Sequence, residues 1–221
     1  MRNSPNYSPI VSDCEIRSLR WRDATLRQMA PREILPKPDK PESAVFTDAG
    51  TKDCIIAATL FGQQTFRESS KISMVWEETV GQHWRALFDK TSLIYGLEMI
   101  AFLSLLWGPN PPPEGETSIF HLYNEIAVKE LVKHNAKPDI ITAMAHLAWF
   151  RLDQLGVPRG SIRIPSNRNI ADIPTRKVKP PFGSLARGEF KNLRPLYSLT
   201  KQAVAALQTS RNIPMPKYLG Q

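Results

Sequence analysis

At 221 residues the chain has the length of one ordinary domain with extensions, and 42% hydrophobic against 23% charged residues excludes a polypeptide disordered throughout. Twenty-nine Lys and Arg against 21 Asp and Glu leave a formal charge of +8, which makes a polyanion a reasonable partner without identifying it. The two cysteines, Cys14 and Cys54, have neither disulfide-framework nor zinc-ligand spacing and fit a reducing compartment.

The first ten residues, MRNSPNYSPI, lack the basic-then-apolar layout of a secretory signal, so an intracellular location, cytoplasm or nucleus, is expected. Apolar positions at Ile16, Leu19, Ala24, Leu26 and Met29 predict a helix over 13–29 that Pro31 closes, followed by a proline-rich linker. Residues 1–43 are therefore read as a connecting segment, 44–176 as the folded domain and 177–221 as a basic, proline-containing tail. AVFTDA at 44–49 and CIIAATLFG at 54–62 predict a strand hairpin around Gly50, and the alternation of Ile72, Met74 and Trp76 predicts a third strand. Leu93, Ile94, Leu97, Ile100, Ala101 and Leu105 recur at helical spacing. This run stops at Trp107, short of the ~20 apolar residues of a membrane span, and it contains Glu98.

Beyond a proline-rich loop at 109–115, SIFHLY at 118–123 predicts a fourth strand leading into a helix over 124–134 with Asn124 as a cap. A long helix follows from Pro138 until Gly156 stops it. SIRIP at 161–165 is the expected fifth strand, and Asn169 to Thr175 a short helical turn. The order predicts an α/β domain with an antiparallel hairpin beside parallel strands.

Three carboxylates stand where a core would not want them. Asp48 ends an apolar strand, which is costly to bury unpaired but is also good turn chemistry with Ala49 and Gly50. Glu98 follows Ile94 by four and precedes Ala101 by three, so it should face the sheet, either paired with a cation or as part of a hard-metal site. Asp172 begins the last short helix, where a negative charge also favours the helix dipole.

VFTDAG around Asp48, IYGLEMIAFLSLL around Glu98 and IPSNRNIADIPTR around Asp172 resemble the first, second and fourth acidic motifs of the RNase H domain in retroelement reverse transcriptases, nearest to the DIRS-like group. The asparagine, the Ala-Asp pair and the arginine of the last motif carry most of the likeness. The resemblance implies an RNase H-like fold with a five-stranded mixed sheet flanked by helices, and Asp48 and Tyr123 on neighbouring strands. It implies Mg²⁺- or Mn²⁺-dependent cleavage of the RNA strand of an RNA–DNA hybrid, two ions about 4 Å apart being held by Asp48, Glu98 and Asp172 as metal-binding catalytic residues. Tyr123 departs from the motif by standing where the family has an aspartate. Glu125 and Asn124 are the substitutes at hand. The implied cleavage is therefore weakened or lost, the alternative being a catalytically degenerate module that binds nucleic acid or a protein.

No Tyr-x-Asp-Asp polymerase motif occurs, so the resemblance implies a C-terminal piece without polymerase activity, a polymerase domain on another chain being one partner it allows. Arg163, Arg168, Arg176, Lys177 and Lys179, with Arg159 before them, form a run that could track phosphates or simply be solvated. The tryptophans at 76, 84, 107 and 149 are better suited to a core than to base stacking.

Overall fold

The computed structural model describes residues 43–62, 72–108, 118–122, 139–155, 161–165, 168–176, 187–188, 190 and 193–209, together with 19, 20 and 23. In chain order these form strands β1 (Ser43–Gly50), β2 (Ile55–Gly62) and β3 (Ile72–Thr79), and helices α1 (Gln82–Arg85) and α2 (Leu93–Leu106). There follow β4 (Ser118–Leu122), α3 (Asp139–Gln154), β5 (Ser161–Arg163), α4 (Asp172–Thr175), β6 (Arg187–Gly188) and α5 (Leu193–Thr209). The chain is α/β, a mixed sheet flanked by helices.

The sheet runs β5-β4-β1-β2-β3-β6. β1–β2 and β2–β3 are antiparallel, while β4 lies parallel to β1, so the hairpin-then-crossover reading holds. The strand count does not. The body of the sheet is four strands rather than five: the expected strand at 161–165 has only three residues, and the two-residue β6 at the opposite edge was not foreseen. Pro165 cannot donate to a ladder, which limits β5 at its far end. Asp48 is level with Ala57 and Ala57 with Glu77, while Gly50, Ile55 and Thr79 share the next level but one. The ends of β1 and β3 and the start of β2 therefore form one end of the sheet.

The hairpin turns through Thr51 to Cys54, and Cys54 takes a left-handed backbone with φ of 51°. Its carbonyl accepts from the Val80 N–H at 2.7 Å, which ties the turn to the end of β3.

Helix α2 is apolar almost all round, and from Gly96 to Leu106 every residue is buried. That pattern needs partners on all sides. β1 and β2 cover one side, α3 a second and α5 a third. Gly96 is required by a close approach, since a Cβ there would fall 2.5 Å from the Phe88 ring. Arg151 closes the far end of the helix: its Nε donates to the Leu106 carbonyl at 3.0 Å, and its guanidinium lies 5.1 Å from the centre of the Trp107 ring.

Part of the expected tail is core. α5 presents Leu193, Leu196, Leu199, Ala203 and Leu207, all buried, and it packs along α3. Apolar residues three and four apart along Leu193 to Leu207 are a helix stripe, and burying it outweighs the proline-rich character of the surrounding sequence. Of the helix expected at 13–29, residues 19, 20 and 23 are helical and the rest lie outside the described residues, as does the helix expected at 124–134. Among the described residues no helix is long and apolar enough to cross a membrane.

Candidate acidic site at the end of the sheet

Asp48 stands two residues from the end of β1, where the apolar strand reaches the edge of the core. It is 4% exposed and Glu98, on α2, is fully buried. Asp172 opens α4 and is partly exposed. Three elements distant in sequence thus bring their carboxyl groups to one end of the sheet, close enough for each to act on the others' charge.

Burial pushes the Asp48 carboxyl up to about 6, and the negative charge of Asp172 adds to the rise while a hydrogen bond from Thr175 opposes it. Glu98 is pushed well above the usual carboxyl range, by burial first and then by the charge of Asp48. Neither Glu98 oxygen makes a hydrogen bond of good geometry; the Ala49 N–H and the Asp48 carboxyl are the polar groups nearest to it. A fully buried carboxylate so weakly served is expensive, so Glu98 needs a proton or a cation.

The α4 segment docks on Asp48 through two polar side chains of the last motif, Asn169 and Thr175. Thr175 Oγ1 donates to Asp48 Oδ2 at 2.7 Å. Asn169 is buried and its Nδ2 donates to the Thr47 carbonyl at 2.9 Å and to Asp48 Oδ1 at 3.4 Å. Its own Oδ1 accepts from the Ala171 N–H at 3.2 Å, which shapes the turn into α4. Asn169 falls within the stretch that carries the resemblance, whereas the only signal for Thr175 is its placement three residues beyond Asp172.

Asp172 lies within hydrogen-bond reach of Asp48, and its Oδ2 is also 2.7 Å from Nε of Arg176. Among the described residues no group of three or more His, Cys, Asp or Glu is arranged to hold a metal ion. The geometry offers Asp48 and Glu98 as a close oxygen pair, with Asp172 beside Asp48 and one of its oxygens paired with Arg176.

No protein-family model, curated protein or solved structure matches this chain. Its chemistry has to be argued from the site alone.

Leu122, the last described residue of β4, lies opposite Thr47 on β1, one residue before Asp48. Tyr123, Asn124 and Glu125 follow it and lie outside the described residues, as do Arg159, Lys177 and Lys179. Arg168 is exposed on the loop before α4, and Arg176 is exposed while paired with Asp172. The backbone of Arg163 ends β5. Trp76, Trp84, Trp107 and Trp149 are all buried, in keeping with the core role expected of them.

Proposed function

We propose that this chain is an RNase H-like domain of the retroelement reverse-transcriptase type, which binds RNA–DNA hybrid and in which Mg²⁺-dependent cleavage of the RNA strand is weakened or lost. The observation that carries the reading is the convergence of Asp48, Glu98 and Asp172 from β1, α2 and α4. Elements that bury mutually repelling carboxyls lose stability unless the arrangement serves a charge. A mixed sheet with the hairpin next to a parallel crossover strand is compatible with this fold.

Hard oxygens on the neighbouring Asp48 and Glu98 carboxyls suit one divalent ion of the Mg²⁺ class. Such an ion would supply an activated water and charge stabilisation at the scissile phosphate. A second ion is less well served. Arg176 takes one oxygen of Asp172, and a phenol at position 123 supplies no anion near neutral pH, its usual pKa being ~10. The Asp172–Arg176 pair is also what favours the second reading, a module that binds nucleic acid without cleaving it.

The test is cleavage of a labelled hybrid in Mg²⁺ and in Mn²⁺. The unmodified chain should cut feebly or not at all, Tyr123→Asp should raise cleavage, and adding Asp48→Asn should abolish the gain. Strong cleavage by the unmodified chain overturns the loss of activity. If Tyr123→Asp folds and binds hybrid but gains nothing, the non-cleaving module is the better reading.

A further inference from the structure

A cleft of about 620 Å³ lies where the end of β3 meets α1 and the first turn of α5, lined among others by Glu78, His83, Phe190, Arg194 and Tyr197. Its rings are held in a fixed arrangement. His83 and Tyr197 meet edge to face at 4.7 Å and 90°, and Tyr197 in turn packs at 5.1 Å against the buried Trp84. Lys201 holds its Nζ 5.8 Å from the Tyr197 ring centre, and Arg194 is exposed on the same helix. Rings and cations at one wall are the combination that takes a planar heterocycle joined to a phosphate.

The cleft opens at the same end of the sheet as the acidic site, because Thr79 is level with Ile55 and Gly50. β3 is two strands from β1, a lateral step of about 10 Å at ~4.8 Å per strand, and the register puts Glu78 on the sheet face of Ala49 and Asp48 on that of Glu77, so the cleft lies around the end of the sheet from the Asp48 carboxyl. Aromatic side chains reach the face of a base only when it is unpaired.

We propose that this cleft binds an unpaired nucleotide of the strand that lies on the acidic site, its base against His83 and Tyr197 and its phosphate against Arg194. The inference rests on the hybrid-binding reading and adds to it a preference for a junction between hybrid and single strand. His83 and Arg194 are exposed, so replacing them leaves the core intact. Tyr197 is left unchanged because it supports Trp84.

The probe is a short RNA–DNA hybrid whose RNA carries a single-stranded extension with 2-aminopurine at successive positions past the junction, compared with the blunt hybrid. The full chain should bind the extended hybrid more tightly and quench the probe. His83→Ala should remove the quenching without changing affinity for blunt hybrid, and Arg194→Glu should weaken binding of the extended form roughly tenfold more than the blunt form. If both variants bind and quench as the unmodified chain does, the cleft is not the site and the hybrid reading stands. If the unmodified chain binds neither probe, both fall.

Discussion

Thr175 has one hydroxyl proton and two acceptors in reach, Asp48 Oδ2 at 2.7 Å and the Asp172 carbonyl at 3.0 Å. With Asp48 ionised the proton belongs to the carboxylate; with Asp48 protonated, its own proton can bond to Oγ1 and free the hydroxyl for the carbonyl. Thr175→Val keeps the shape and removes the bond, so unfolding in denaturant should show a loss of ~1–3 kcal/mol at pH 7 that Thr175→Ser largely restores. The raised carboxyls set a second expectation. Asp48 moves from 3.8 to about 6 on folding, so the folded state holds a proton that the unfolded state has lost between those values. Stability should therefore fall as pH rises through that window, by about 3 kcal/mol for Asp48 alone, with Glu98 continuing the fall at higher pH. Urea midpoints from pH 4 to 7 measure this, and Glu98→Gln should flatten the curve and raise stability at pH 7. Asp48 and Glu98 were legible in the sequence because each interrupts an apolar pattern. Asn169 lay within the motif that carries the resemblance, but its bond to β1 and the whole role of Thr175 were not legible, since a short polar residue near a proline looks like turn chemistry and only the docking of α4 on β1 gives it its part.

Among the elements, α5 separates pattern from composition. Proline-rich flanks and basic residues mark its neighbourhood as a tail, yet the stripe from Leu193 to Leu207 is a helix signature that composition alone conceals. Pro195 falls in the first turn, where a missing N–H costs nothing. Leu196 is fully buried against the main core, so Leu196→Ala should cost ~2–5 kcal/mol in a denaturation experiment. A tail would have tolerated it. The strands were legible for a different reason, because β1, β2 and β3 are rich in β-branched and aromatic residues bounded by turn residues. β6 has two residues and no pattern to read.

For the molecule as a whole, the charge of +8 sets how it should meet a polyanion. Hybrid affinity should fall steeply with salt, log K dropping by ~0.7–0.9 per phosphate contact for each tenfold rise in salt, and anisotropy titrations at several salt concentrations would measure the slope. An affinity indifferent to salt would argue for a protein partner. The all-round burial of α2 bears on how the chain comes into being. Its last wall is α5, the final described element, so a chain emerging from the ribosome carries an apolar helix with one side uncovered until residues past Leu207 have been made. Folding is then completed late and all at once, and chains halted before Leu193 should be held by chaperones or degraded rather than accumulate as a smaller stable domain.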